Sequence, residues 1–100
     1  SFIMDPSGQW SLAPAYDLCF AYSPSGQWTN RHQLSLNGKR DHFTLKDLLA
    51  VAEKADVVRA NEIIQQITET VSQWRDYARK ADVKPEYATQ IEKSLRLNLK

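Results

Sequence analysis

One carboxylate, Asp17, interrupts an otherwise apolar stretch that extends from Leu12 to Tyr22. Burying an ionised aspartate without a partner is strongly unfavourable, so such a residue is normally satisfied by hydrogen bonds, a cation or a metal ion. Two interpretations of Asp17 follow from the sequence. It could bind a metal ion, or it could accept backbone N–H bonds as a cap at a turn, and spacing alone leaves both open.

The other residues that could do chemistry favour structural interpretations. Cys19 has no partner for a disulfide, which is typical of a reducing compartment, and we expect a buried structural thiol rather than a nucleophile. His32 and His42 could meet across a hairpin, but two histidines without a third ligand make a weak metal site, so we expect surface residues. The only dense basic cluster, Lys39-Arg40, is followed by an acid and resembles a solvated hairpin end.

Charge and composition exclude several classes of function. The sequence contains thirteen Lys and Arg and twelve Asp and Glu, which gives a net charge of +1. We therefore expect no dedicated nucleic-acid surface. No apolar run approaches the roughly 20 residues needed to span a bilayer, and no signal sequence is visible, so we expect a cytoplasmic protein without membrane contact. The chain opens directly in strand-like sequence, which suggests a cut end. Five aromatic residues are expected in the core rather than in base stacking: Trp10, Tyr16, Phe20, Tyr22 and Trp28.

The first part of the chain has the pattern of β-hairpins. Residues 2–4 and 9–13 are β-type runs, and the turn between them, residues 5–8, contains a proline and a glycine. A second hairpin is predicted over residues 33–43, because Asn37-Gly38 is a strong signal for a tight turn between strands.

From Thr44 onward the apolar residues repeat with a helical period. Thr44 and Asp47 resemble a capping box, which predicts a first helix ending near Ala55. We expect Asp56 to cap a long second helix reaching Ala78, and a third helix to begin at residue 85, a proline. The predicted fold is α+β and mainly α, with short N-terminal β-hairpins followed by a three-helix bundle that shares one core. We expect one compact unit with a hairpin segment, residues 1–43, and a helical subdomain, residues 44–100.

Two stretches together resemble a known family. These are Trp-Ser-Leu-Ala-Pro-Ala-Tyr-Asp-Leu at residues 10–18 and His-Gln-Leu-Ser-Leu-Asn-Gly-Lys-Arg at residues 32–40. They resemble the C-terminal region of HipA-like serine/threonine kinases, the toxins of HipA–HipB toxin–antitoxin systems. The resemblance covers about the first 45 residues closely, and the helices only in general character. It implies that the chain forms part of a protein-kinase-like C-lobe.

The resemblance implies a role for Asp17. In that family the aspartate of this motif acts like the Asp of the Asp-Phe-Gly triplet of ordinary protein kinases, coordinating Mg²⁺ that bridges the ATP phosphates. A rigidly held carboxylate suits that chemistry, and Pro14 and Tyr16 are expected to stiffen the backbone around it. The resemblance therefore favours metal binding over capping.

The same resemblance implies that the chain is inactive alone. In such kinases the nucleotide-covering lobe, the phosphate-binding lysine, the catalytic Asp and a metal-binding Asn precede this motif, so we expect no catalytic residue within the chain. The implied partners are the remainder of the kinase chain, a HipB-like DNA-binding antitoxin and, for the full-length enzyme, a protein substrate. The alternative hypothesis is a free-standing truncated module that docks on a HipB-like antitoxin or on a separate kinase lobe.

Overall fold

The computed structural model describes residues 1–100 as a small hairpin followed by four helices. The prediction of an α+β, mainly α fold is confirmed. No helix is both long and apolar enough to cross a membrane. The elements in chain order are β1 Phe2–Met4, β2 Trp10–Leu12, α1 Leu45–Lys54, α2 Ala60–Ser72, α3 Trp74–Lys80 and α4 Pro85–Ser94.

The first predicted hairpin is present. β1 and β2 are antiparallel, with Ile3 opposite Ser11 at the centre of the register. The Asp5 carboxylate organises the turn, accepting hydrogen bonds from the Ser7 backbone at 2.8 Å and the Gln9 backbone at 3.0 Å. Gly8 completes the turn at φ 86°, a left-handed conformation that glycine adopts without strain.

The second predicted hairpin forms only its turn. Asn37 and Gly38 both have positive φ, 50° and 77°, as a two-residue type I′ turn requires. Leu36 and Lys39 exchange both backbone hydrogen bonds, at 2.8 and 3.0 Å, in a single bridge that does not extend into strands. An isolated two-stranded ribbon is marginal in water, and Leu34, 86% exposed, contributes no packing to it.

The capping box predicted at Thr44 is present and starts α1. The role predicted for Asp56 is wrong, because Asp56 ends α1 instead of capping α2. It has φ 51°, and the next residue, Val57, donates its N–H to Ala52 O at 2.9 Å. This left-handed residue with a bond back across the turn is a Schellman-type helix end. α2 begins at Ala60, after Arg59, which is also left-handed with φ 61°.

The long helix predicted to reach Ala78 is divided at Gln73 into α2 and α3. Hydroxyl side chains near the division compete for the helix carbonyls. Thr70 donates to Gln66 O at 2.8 Å and Ser72 donates to Glu69 O at 2.6 Å. Such bonds weaken and bend a helix. The three predicted helical segments therefore become four helices.

The core is small and lies between α3 and α4. Only Ala78, Ala88 and Asp47 are buried. The Trp74 indole joins the two helices by donating Nε1–H to Ala88 O at 2.9 Å. The core shared by all helices is much smaller than predicted, since Ile67 on the apolar face of α2 is 58% exposed.

Candidate functional site

The loop that carries Asp17 returns to the start of β1. Ala13, just after β2, donates its N–H to Ser1 O at 3.1 Å. The Tyr16 hydroxyl lies 2.6 Å from the Ser1 hydroxyl. Residues 13–16 are therefore held to Ser1 at both ends, and Asp17 follows directly.

Asp17 is exposed, so the expectation that it is buried among apolar neighbours is wrong. Its φ of 54° is left-handed, a conformation that aspartate and asparagine tolerate better than most residues. The only hydrogen-bond donor to its carboxylate is the Cys19 thiol, with Sγ 3.8 Å from Oδ1. No backbone N–H caps the side chain, so its carboxylate oxygens remain accessible to a ligand.

The apolar residues around Asp17 are exposed as well, which corrects two further predictions. Cys19 is an exposed free thiol rather than a buried one. Strands β1 and β2 contact none of the helices, so no helix covers Trp10 on β2. The five predicted core aromatics are 39% to 69% exposed: Trp10, Tyr16, Phe20, Tyr22 and Trp28.

A cleft of about 520 Å³ opens beside this loop. Phe20 and Tyr22 line it with their rings 6.4 Å apart and close to perpendicular. Arg31 adds positive charge to its wall, whereas Arg96 is paired with Asp41, which also lines the cleft. Asp17 does not line the cleft, although Cys19 does, so the predicted metal ligand lies beside this concavity and outside it.

A hydrogen-bond network around Asp47 fixes the Asn37-Gly38 turn to the start of α1. The carboxylate accepts hydrogen bonds from Lys39 Nζ at 2.6 Å and Asn37 Nδ2 at 2.9 Å. It also accepts from the backbone N–H and the hydroxyl of Thr44, at 2.9 and 2.8 Å. The Lys39 ammonium group, followed by these other donors, holds the pKa of Asp47 well below its usual range.

This network gives Lys39 a structural role that the sequence left unassigned. The Thr44 to Asp47 spacing is a visible capping-box signal. The two further partners, Asn37 and Lys39, precede the helix, and only the folded turn brings them to the carboxylate. Sequence reasoning therefore found half of the network and missed the half that joins it to the turn.

The two histidines have different surroundings. Both histidines are exposed, as expected. The centroid of the His32 ring lies 5.3 Å from that of Phe43, and His42 Nε2 lies 3.9 Å from an Asp41 oxygen. The Asp41 carboxylate accepts hydrogen bonds from both terminal guanidinium nitrogens of Arg96, Nη1 and Nη2, and these bonds are the main cause of the lowered pKa of Asp41. No group of three or more His, Cys, Asp or Glu side chains is placed to hold a metal ion.

A family model described as the HipA-like C-terminal domain matches residues 1–75. The chain belongs to this family. No curated protein and no solved structure gives a significant match. The resemblance expected from the two sequence stretches is therefore confirmed at the level of the family.

The matched part of this HipA-like domain contains both carboxylate sites. It includes the Asp17 loop and the Asp47 network, and it ends at Arg75, within α3. α4 and the residues after it lie beyond the match, although they supply Arg96 to the Asp41 ion pair. The family assignment therefore rests on the hairpin, the two turns and the first helices.

Proposed function

We propose that this HipA-like domain is the C-terminal part of an ATP-dependent serine/threonine kinase toxin, in which Asp17 is a ligand of Mg²⁺·ATP. The helices provide the scaffold on which the Asp17 loop is mounted. The proposal rests on the accessibility of the Asp17 carboxylate. It is exposed and free of backbone caps, and it follows a loop closed on Ser1.

The side chain of Asp17 fits the requirements of a magnesium ligand. Mg²⁺ in nucleotide sites is held by one or two carboxylates together with phosphate oxygens and water. Asp17 supplies one such carboxylate, and its only present neighbour is a weakly donating thiol. When bound, the ion neutralises charge on the phosphoryl group that is transferred.

One carboxylate is not sufficient for this chemistry. Because the chain has no group of three potential ligands, the remaining metal ligands and the group that orients the acceptor hydroxyl come from elsewhere. We assign these functions to the remainder of the kinase chain. The domain alone is therefore inactive in our proposal.

The exposed apolar face of the hairpin supports contact with that remainder. In the register of the two strands, Phe2 lies opposite Leu12 and Met4 opposite Trp10, so all four side chains share one face. Their exposures run from 56% to 74%. Water contact over such a face is unfavourable, and covering it stabilises a complex or a larger fold.

A substitution in the full-length parent tests the role of Asp17. Asp17→Asn keeps the size and the tolerance of left-handed φ but removes the negative charge. We expect phosphoryl transfer to fall at least about a hundredfold, as for a lost metal contact. Asp82→Asn is the matched control, because Asp82 is also an exposed aspartate, with φ 53°.

Kinase activity and the circular-dichroism spectrum of both variants should be measured together. Activity that survives Asp17→Asn at the level of Asp82→Asn would remove Asp17 from the site. Loss of activity in Asp17→Asn with an unchanged spectrum supports the proposal.

Titration of residues 1–100 with Mg²⁺ and ATP tests whether the domain is sufficient. Since only Asp17 is available, we expect no saturable binding in the micromolar range by isothermal calorimetry. Clear saturation at one equivalent would show that the domain itself holds the nucleotide, which contradicts the assignment of the other ligands to the rest of the kinase.

The exposed hairpin face also supports a second candidate function. The same four apolar side chains suit a free-standing module that docks on a HipB-like DNA-binding antitoxin or on a separate kinase lobe. The reading frame upstream of Ser1 separates the two. An Asp-x-x-x-x-Asn catalytic loop encoded there supports the kinase, whereas a start codon immediately before Ser1 supports the module.

A further inference from the structure

We propose that Tyr16 is a positioning residue for Asp17, acting through its hydrogen bond to Ser1; this inference rests on the proposed function. The Tyr16 hydroxyl and the Ser1 hydroxyl lie 2.6 Å apart. The second tie of the loop, from Ala13 N–H to Ser1 O at 3.1 Å, leaves only residues 14 and 15 between the two anchored positions.

The loop needs such a tie because regular structure does not hold it. Residues 13–22 belong to no helix or strand. Pro14 restricts one φ angle, but the backbone beyond it is fixed only by local bonds. A ligand that is free to move must be ordered when the metal binds, and this lowers affinity.

Tyr16 is the last anchored residue before Asp17. The Asp17 backbone is in the left-handed region, where few rotations are available to an L-residue. Fixing the preceding residue therefore limits the directions in which the carboxylate points. The contact with Cys19, at 3.8 Å, is too long and too weakly polar to replace this restraint.

The hydroxyl of Tyr16 can be removed with little other change. Its side chain is 68% exposed, so Tyr16→Phe removes the oxygen atom without opening a cavity. Tyr87→Phe is a matched control, because Tyr87 on α4 is 53% exposed and its hydroxyl has no hydrogen-bond partner. Ser1→Ala removes the other partner of the same bond and leaves the Ser1 carbonyl in place.

The test uses the full-length parent protein with ATP and Mn²⁺ as the probe. Free Mn²⁺, followed by electron paramagnetic resonance, gives the dissociation constant for the metal without relying on turnover. A neutral hydrogen bond of this kind corresponds to an effect of about three- to tenfold. We expect Tyr16→Phe and Ser1→Ala each to weaken Mn²⁺ binding by that factor, and the double variant to be no weaker than either.

A kinetic measurement separates positioning from general damage. The Mg²⁺ concentration for half-maximal activity should rise by the same factor in Tyr16→Phe, while kcat at saturating Mg²⁺ stays near the parental value. Tyr87→Phe should match the parent in both measurements. If Tyr16→Phe accumulates poorly, Ser1→Ala carries the test in the same assay.

Asp17→Asn distinguishes the failure of this inference from the failure of the proposed function. Parental Mn²⁺ affinity in Tyr16→Phe and Ser1→Ala, with loss of binding in Asp17→Asn, overturns the role of Tyr16 and leaves Asp17 as a ligand. Parental affinity in Asp17→Asn overturns the proposed function itself.

Discussion

Substitutions of Asn37 test how the Asn37-Gly38 turn is held to α1. Asn37 combines two features that can be separated by mutation. Its side chain donates to Asp47 at 2.9 Å, and its backbone has φ 50°. Asn37→Gly removes the hydrogen bond but allows the left-handed backbone. Asn37→Ala removes the hydrogen bond and adds strain, because alanine is disfavoured at positive φ.

The two contributions have different expected sizes. A hydrogen bond to a charged acceptor is worth about 1.5–3 kcal/mol, and partial exposure of the donor reduces it to about 1–2 kcal/mol here. The left-handed backbone adds about 1 kcal/mol for alanine. We therefore expect the free energy of unfolding to fall by about 1–2 kcal/mol in Asn37→Gly and by about 2–3 kcal/mol in Asn37→Ala.

Urea unfolding of residues 1–100, followed by circular dichroism, measures these changes. With a slope of about 1.5 kcal/mol per M, the midpoint should fall by roughly 1 M in Asn37→Gly and roughly 2 M in Asn37→Ala. Equal midpoints for the two variants would refute the backbone argument. A parental midpoint in Asn37→Gly would refute the contribution of the hydrogen bond to Asp47.

Two further predictions concern the Asp47 network and the small core. Because the native pKa of Asp47 lies below its ordinary value of 3.8, its contribution to stability is present above about pH 4 and is lost as the pH falls below that value. Lys39→Met removes the main cause of the lowered Asp47 pKa. The free energy of unfolding of this variant should therefore fall less between pH 7 and pH 3 than that of the parent, and an equal fall would contradict this prediction. Trp74→Phe removes the indole hydrogen bond to Ala88 O, worth about 1–2 kcal/mol, and should lower Tm by about 5–10 °C in a thermal melt. Trp28→Phe, at a site 68% exposed, should leave Tm unchanged, and equal Tm values for the two variants would exclude the indole bond.

Local signals in the sequence predicted the local structure well. The turn at Asn37-Gly38, the capping box at Thr44 and the helix start at Pro85 each depend on a few neighbouring residues. Their preferences come from backbone geometry and short-range hydrogen bonds, which the chain carries wherever it folds. These elements therefore appear at or near the predicted positions.

Helix boundaries inside a continuous apolar pattern were less predictable. The 3.6-residue period continues through Gln73, where the structure divides α2 from α3. An aspartate in a helix-capping context can also end the preceding helix, as Asp56 does. Periodicity reports which side chains share a face, but hydroxyl competition and left-handed residues decide where each helix ends.

Burial was the property that the sequence predicted least well. Hydrophobicity alone assigned Cys19, Trp10 and Phe20 to a core, yet all three are exposed. An apolar side chain is buried only when another apolar surface lies opposite, and the hairpin contacts no helix in this chain. An apolar sequence therefore shows that a surface favours being covered, but it does not identify the partner that covers that surface.

The same contrast connects the fold to the proposed function. The Asp47 network satisfies its carboxylate completely with groups from this chain, so it is a self-sufficient structural element. The Asp17 carboxylate has one weak donor and an accessible surface, on a loop flanked by exposed aromatic residues. An exposed carboxylate with one weak donor from its own chain can exchange its hydration water for external ligands. This difference between the two aspartates supports the proposal that Asp17, rather than Asp47, is a metal ligand.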